Sequence, residues 1–434
     1  MSPEMVGILG IIVMLILFAI GMPIAFAMAL AGVAGYANFV SPTVGLSLLP
    51  RDIFEQFASY PLSVIPMFVL MGTYAFASGI GKKLFETANT LVGHLPGGLA
   101  MATIAASAGF GAICGSTTAT CATIGKIAIP EMKRFGYKDW ISTGTVAVSG
   151  GLGIMIPPST SFIVFGLLTE QSIGKLFIAG IIPGIILAIL MMGTVYYLCR
   201  RDSAGASIGQ SATLKQKLIS LKGLTDTIIL FFITIGGLFA GWFTPTQAGA
   251  IGAAGAIMIG LLNRELTWQK FVEATKDGLR LSCMIMLLIA GATVFSHFIT
   301  RTGMPLKLAE WVGTLDVSPA IIMLLIVAFW FVLGCFIDAM AIIVLLVPIL
   351  MPVITNLGYD LTWFAVIVTA LSMIAVVTPP VGVNAFVVKG ITKDVPLTTI
   401  FRGIIPFLIP LIVGTLLLIA FPGLSTFLPK YITY

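Results

Sequence analysis

Apolar runs separated by short charged links fill almost the whole chain. They fall at 5–37, 61–79, 97–114, 141–154, 161–169, 176–198, 225–242, 246–262, 281–299, 319–354, 381–391 and 400–421. Runs of this length and purity predict helices that cross a membrane or enter it part-way. Gly21 and Pro23 are expected to bend the first run, and a short link with Arg51, Asp52 and Glu55 follows it. Residues 80–95 change the pattern, because Lys82, Lys83 and Glu86 interleave with Leu84, Phe85, Ala88 and Leu91. That spacing predicts an amphipathic helix at the membrane surface or bracing the spans. The stretch 301–316 is expected to do the same in the second half.

The basic residues sit in the links. Arg200, Arg201, Lys215, Lys217 and Lys222 stand against Asp202 in the link 200–222. Arg264, Lys270, Lys276 and Arg280 stand against Glu265, Glu273 and Asp277 in the next. Two spans separate these links, so both lie on one side, and positive-inside bias makes that side cytoplasmic. Residues 267–280 are also amphipathic and could lie along the surface.

Composition narrows the class further. The chain is 58% hydrophobic and 9% charged, with a mean hydropathy of +1.10. Soluble domains carry about 25% charged residues, so an ordinary soluble fold is excluded. The net charge of +6 is placed in membrane-flanking links and does not point to nucleic acid. Cys114, Cys121, Cys199, Cys283 and Cys335 show no metal-ligand spacing and read as small packing residues. Glu4 precedes the first run with no Lys or Arg before it, which favours a retained span over a signal peptide.

One stretch, Gly109–Ser161, is too apolar for a loop yet too rich in Gly, Ser, Thr and paired Pro for an ordinary span. Backbone can break inside a membrane only where protein encloses it or where it lines a site. The second half repeats the plan at an offset of 222 residues. Pro130, Gly136, Tyr137 and Pro157–Pro158 fall on Pro352, Gly358, Tyr359 and Pro379–Pro380. With one residue of slip, Gly180–Pro183 falls on Gly403–Pro406. Matching interrupted spans in two halves point to a secondary-transporter site near mid-membrane. The expected fold is therefore an all-α polytopic membrane protein built from two repeats, with re-entrant hairpins and broken transmembrane helices. An odd number of crossings between the repeats would invert them, and we expect that arrangement. Expected units are an N-terminal scaffold span at 1–60, a first repeat at 61–200, central scaffold spans at 201–280 and a second repeat at 281–434.

The candidate chemistry lies at the breaks. Ser116, Thr117, Thr118 and Thr120 beside Gly115 offer hydroxyls, and hydroxyls with freed carbonyls are hard oxygen ligands suited to Na+. Such hydroxyls can equally bond back to their own helix. Pro157–Pro158 and Pro379–Pro380 lack N–H groups and strand carbonyls. Gly151 and its neighbours Ser149, Gly150 and Gly153 make the first approach flexible; Thr378, Gly382 and Asn384 flank the second break. Asp338 follows Gly334 at the second interruption, where it could bind a cation, carry a proton or cap a helix. Lys126 could snorkel to the nearby link or meet an anion, and Lys389 reads as interfacial. His94 and His297 sit near span ends, and Arg402 could anchor the last span. The chain has no H-E-x-x-H, G-x-S-x-G, Walker or Cys-x-x-Cys motif, so neither ATP-driven transport nor hydrolysis is expected.

These motifs together carry a resemblance. LVGHLPGG at Leu91–Gly98, GSTTATCATIG at Gly115–Gly125 and IPEMKRFGY at Ile129–Tyr137 are joined by GIMIPPS at Gly153–Ser159 and GKLFIAGIIPG at Gly174–Gly184. With the Asp338 hairpin and TPPVGVNAF at Thr378–Phe386, the chain resembles the large membrane subunit of tripartite ATP-independent periplasmic (TRAP) transporters over nearly its whole length. The resemblance implies a bacterial inner-membrane, elevator-type importer of small organic acids, driven by a Na+ gradient. It implies two partners, a small four-span membrane subunit and an extracytoplasmic solute-binding protein, besides membrane lipid. It also implies that the hairpins at Gly115–Thr120 and Gly334–Asp338 meet the two Pro-Pro breaks. On this reading Ser116, Thr117, Thr118, Ser159 and Asn384 face the acid. Gly115, Thr120, Gly151, Pro157, Gly334, Asp338, Thr378, Pro379 and Gly382 surround Na+. Lys126 and Ser372 depart from the family pattern, which commonly has a small uncharged residue and Asn there. A stand-alone Na+–carboxylate symporter is the neighbouring alternative.

Overall fold

The computed structural model describes residues 2–201 and 212–431; Asp202 of the basic link lies outside them. Among the described residues, seven helices are long and apolar enough to cross a bilayer, or eight if the bent pair Pro42–Ala58 and Pro61–Ala77 is one span. The first apolar run is not one bent span. It forms two helices, α1 (Pro3–Ala19) and α2 (Ile24–Phe39), because Gly21 adopts φ +93° and reverses the chain. Gly10 and Gly35 both pack on Phe298, while Gly7 meets Thr302 and Gly32 meets Phe295, so the two helices run antiparallel along one neighbour. The link carrying Arg51, Asp52 and Glu55 is itself helical, α3 (Pro42–Ala58), and turns through 65° into α4 (Val64–Ala77).

The amphipathic stretch forms α5 (Ile80–Val92), which buries Leu84, Phe85 and Ala88. Hairpin one follows as α6 (Gly98–Cys114) and α7 (Thr117–Arg134). The first broken span is α8 (Asp139–Ser149), a short α9 (Leu152–Met155) and α10 (Thr160–Thr169). It leads into α11 (Ile173–Arg201). The link 200–222 is partly helical, with α12 at Leu214–Ser220. Helix α12 runs on through α13 (Thr225–Phe231), a π-helical turn at Phe232–Gly236 and α14 (Gly237–Phe239), so that Leu214–Phe239 makes one 26-residue stretch, and α15 (Pro245–Leu262) returns. Residues 267–280 neither form a separate link nor lie flat: they begin α16 (Trp268–Arg301), a single helix of 34 residues. At 1.5 Å per residue it is about 51 Å long, well beyond a hydrocarbon core of about 30 Å.

The second half contains α17 (Met304–Thr314), hairpin two as α18 (Pro319–Gly334) and α19 (Ala339–Asn356), and a second broken span, α20 (Leu361–Ala375) with α21 (Val383–Ile391). The last span is α22 (Leu397–Ala420). The repeat is visible in the backbone. Helices α7 and α19 have the same length and the sequence offset noted above, Gly136 and Gly358 are both left-handed, and both Pro-Pro bonds are cis.

The repeats are inverted, and α22 shows it. The start of α8 meets the beginning of α22, where Trp140 and Gly144 pack on Gly403. The start of α20 meets its end, where the Trp363 indole N–H donates to Leu418 O at 2.9 Å. Gly403 and Leu418 are about 22 Å apart along the helix. The two broken spans therefore enter from opposite sides. Hairpin one opens toward the side of the basic links, where Gly97 packs on Cys199, and hairpin two toward the other. Lys133, at the base of hairpin one, pairs with Asp139 at 3.3 Å and Asp394 at 2.5 Å, joining the α7–α8 link to the α21–α22 link. It holds the Asp394 carboxyl below the usual carboxylate range. Each amphipathic helix ties its hairpin to the outer helices. Lys83 of α5 pairs with Asp226 of α13 at 2.7 Å, and Lys307 of α17 pairs with Glu4 of α1.

Burial separates centre from periphery. The first broken span is 83% buried, whereas Leu214–Phe239 is 22% buried and turns its apolar side outward. Cys283 is exposed on α16, so the packing role expected of the cysteines holds for the other four. The α8–α22 seam depends on missing side chains. A Cβ on Gly403 would lie 1.9 Å from Trp140 O, and one on Gly144 would lie 2.3 Å from Gly403. Gly403→Ala is expected to lower stability by about 1–3 kcal/mol through overpacking. Gly390→Ala, which enters open space, should not. Thermal melting in detergent measures both, and equal melting of the two variants would contradict this seam.

Candidate functional site

The tip of hairpin one is built from the residues that break its helix. Gly115 ends α6 in the left-handed region at φ +65°, a conformation that suits a residue without Cβ. Ser116 is extended and caps α7, its hydroxyl accepting from Ala119 N at 3.4 Å and lying 3.2 Å from Thr118 Oγ1. The Gly115 carbonyl turns toward the first break and accepts two bonds from Thr160, 2.8 Å from Oγ1 and 3.3 Å from N. Thr160 is the first residue of α10, so these bonds join the hairpin tip to the broken span. Gly153 completes the contact: a Cβ there would lie 2.5 Å from both Ser116 O and Thr120 Oγ1.

Ser159 is fully buried and committed to the backbone. Its hydroxyl donates to Ile154 O and accepts from Phe162 N, capping α10. Pro157 and Pro158 are buried, whereas Pro379, Pro380 and Val381 are exposed. Hairpin two meets its own break through Val381 N, which donates to Cys335 O at 3.4 Å. Asp338 occupies the repeat position of Ser116 and does the same work, capping α19 by accepting from Met340 N at 3.0 Å. Its side chain stays exposed at the tip. Gly334 packs on Ala375, Gly382 starts α21 at φ +57°, and the Thr378 hydroxyl donates back to Ile374 O at 2.7 Å.

Asn384 joins the two halves. Its Nδ2 donates to Ala147 O at 2.9 Å, and its own carbonyl accepts from the Cys121 thiol at 3.8 Å. The backbone bonds at the end of α8 run from Gly150 N to Val146 O and from Gly151 N to Val148 O, passing over Ala147 O. The carbonyl left over by the bend is the one Asn384 takes. Gly151 packs against Met373 of the second broken span. The structure thus gathers Gly115, Ser116, Thr120, Gly153 and Ser159 at the first break and Gly334, Asp338, Thr378, Pro379 and Gly382 at the second, with Asn384 and Gly151 between them. Thr160 was not legible as the clasp of the first tip. Its signal was weak: a second hydroxyl directly after Pro-Pro-Ser.

The arrangement has a definite electrostatic character. At the first break the N-termini of α7 and α10 meet the C-termini of α6 and α9, and at the second the N-termini of α19 and α21 meet the C-termini of α18 and α20. Helix N-termini favour anions and C-terminal carbonyls favour cations. Among the described residues, Thr120 Oγ1, Ser161 Oγ and Asn384 Oδ1 are buried without a hydrogen-bond partner, apart from the Cys114 thiol beside Thr120. Buried polar atoms are rarely left unpaired, and Thr145 Oγ1 and Thr369 Oγ1 in the broken spans are unpaired as well. Other sequence candidates lie elsewhere. Lys389 Nζ donates to Lys393 O and Val395 O at the end of α21, in keeping with an interfacial role. His297 lies 2.9 Å from the buried Asp52 of α3. Ser372 Oγ accepts from Trp330 Nε1 at 3.3 Å within the second half.

Two inverted repeats, each with a re-entrant hairpin whose tip meets a broken span, define a multi-pass membrane transporter of the secondary type. The chain belongs to the DctM component family of the tripartite ATP-independent periplasmic transporters, whose model matches residues 11–424. It is 35% identical to the C4-dicarboxylate TRAP transporter large permease DctM of Pseudomonas aeruginosa, over 88% of this chain and 90% of that protein. It is 33% identical to the sialic acid TRAP transporter large permease SiaM of Vibrio cholerae, over 96% of each. Its fold matches the Alcanivorax borkumensis YdaH transporter with a TM-score of 0.61 and 17% identity, covering 87% of this chain and 89% of that one. The protein is therefore a bacterial inner-membrane permease, the large membrane component of a three-part transport system and not an enzyme.

Proposed function

We propose that this permease imports a small organic acid driven by Na+, receiving the acid from an extracytoplasmic binding protein and working beside a small four-span subunit. The observation that carries this reading is the contact of each hairpin tip with its broken span, where helix N-termini and C-termini face one another beside buried oxygens. Carboxylate recognition is supported by the names of relatives that handle C4-dicarboxylate and sialic acid, both organic anions. The acid would lie against the α7 N-terminus, with Ser116, Thr117 and Thr118, and against Asn384; Ser159 serves from beneath as the cap of α10. Na+ would take carbonyl and hydroxyl oxygens of Gly115, Thr120, Gly151 and Pro157 at one break. At the other it would use the surroundings of Gly334, Asp338, Thr378, Pro379 and Gly382. Bound Na+ draws each hairpin tip onto its broken span and aims tip N–H groups at the carboxylate. Ion and acid then share one binding free energy, reciprocal by linkage. The hairpins and broken spans would move as one body, elevator-fashion, against α1–α4 and α13–α16.

The test is uptake in proteoliposomes containing this chain and its small subunit, with labelled acids presented on their binding protein and the Na+ gradient as the only variable. We expect uptake that needs both the gradient and the binding protein. Gradient-independent uptake would refute Na+ coupling, and equal uptake of free acid would refute the tripartite reading.

A further inference from the structure

One face of α7 is open from the hairpin tip to the cytoplasmic end. Thr118 and Ala122 are partly accessible and Lys126, Pro130 and Arg134 are exposed, at every fourth residue, while Thr117, Thr120, Cys121, Ile124 and Ala128 are buried. This face does not resemble a lipid-facing one. Helix α1 turns Met5, Ile8, Leu9, Ile12 and Ile16 outward, whereas α7 exposes no large apolar side chain. Its open residues are hydroxyl, small or cationic. Lys126 stands midway, about 12 Å below Thr118 at 1.5 Å per residue. Its ammonium lies 5.5 Å from the ring centroid of Phe76 on α4, bridging hairpin one and the outer helices. Among the described residues no carboxylate lies within ion-pair distance of Lys126, although Lys133 and Arg134 on the same helix both have acidic partners.

We propose that Lys126 is a carboxylate way station on the cytoplasmic release path. An anion leaving Ser116 and Thr118 travels down the open face of α7 and meets Lys126, which exchanges its ring contact for the carboxylate and passes it on toward Arg134. A cation–ring contact is weak beside a charge-assisted hydrogen bond, so the exchange is favourable when an anion arrives and reversible when it departs. This deepens the functional reading above and rests on the solute being an organic anion.

The experiment measures the field of Lys126 without using transport. Thr118→Cys is made in a Cys283→Ser background, because Cys283 is the exposed native thiol among the described cysteines. Inside-out vesicles are treated at the cytoplasmic face with anionic sulfonatoethyl or cationic trimethylammonioethyl methanethiosulfonate. We expect both reagents to reach the tip. Adding Lys126→Met should slow the anionic reagent and speed the cationic one by about threefold each, so that their rate ratio falls roughly tenfold. Lys126→Arg should keep the original ratio. An unchanged ratio with Lys126→Met, or a tip thiol unreactive from the cytoplasmic face, overturns the proposal. Absence of acid uptake in the proteoliposome test, with the ratio still falling, would refute the functional reading and leave the anion path standing.

Discussion

Replacing Gly153 with alanine is expected to cut Na+-driven uptake by about 100-fold while the protein stays folded. The new methyl group would stand 2.5 Å from Ser116 O and from Thr120 Oγ1, two oxygens that converge at the first break. Relief requires the hairpin tip and the broken span to part by roughly 1 Å, a displacement that costs about two orders of magnitude where geometry governs rate. Under the proposed linkage of ion and acid binding, the Na+ concentration for half-maximal uptake should rise at least several-fold, and the apparent affinity for the acid should fall with it. Thr120→Val removes only the hydroxyl and should give the same change in Na+ dependence with a smaller loss of rate. Uptake as a function of Na+, beside a melting curve, decides the matter. Wild-type Na+ dependence in Gly153→Ala would remove the first break from the ion site.

The second large effect is expected at Asn384. Its amide N–H is the partner of Ala147 O, and its Oδ1 is buried and free. Asn384→Leu leaves a buried acceptor unsatisfied, at a cost of about 1–3 kcal/mol, and removes the polar group between the two breaks. Asn384→Asp is the sharper test. It keeps the shape but sets a carboxylate oxygen against a carbonyl and adds negative charge where the solute is proposed to bind. Uptake should fall more than 100-fold in Asn384→Asp and less in Asn384→Gln, measured at saturating Na+. An Asn384→Asp variant that transports at the wild-type rate would show that this amide serves neither solute nor seam.

Much of the fold was legible because bilayer physics is strict. Backbone polar groups must pair inside the hydrocarbon region, so interrupted apolar runs in matching places had few possible meanings. The hairpins, both broken spans and the interfacial α5 and α17 follow from that rule together with Gly, Pro and charge. The misreadings have the same physical origin. Gly21 and Pro23 within one apolar run predict a bend, but the left-handed backbone at Gly21 reverses direction and makes two antiparallel helices. The charges at 267–280 suggested a link, yet charged residues at a helix end can extend into water, and α16 continues unbroken.

The sequence by itself determined that this is a two-repeat membrane transporter, where its chain breaks, and that the basic links lie together on one side. Those properties depend on local pattern: apolar length, backbone satisfaction and the distribution of Lys and Arg. Only the tertiary structure decided that the repeats are inverted, since that requires Trp140 and Trp363 to meet opposite ends of α22. It also decided which oxygens are already spent. Ser159 and Thr378 bond to nearby carbonyls, Asp338 caps its own helix, and Asn384 keeps Oδ1 without a protein donor. A hydroxyl or carboxylate looks the same in sequence whether its hydrogen-bonding capacity is occupied or open. That difference is set by contacts between segments as distant as Ala147 and Asn384.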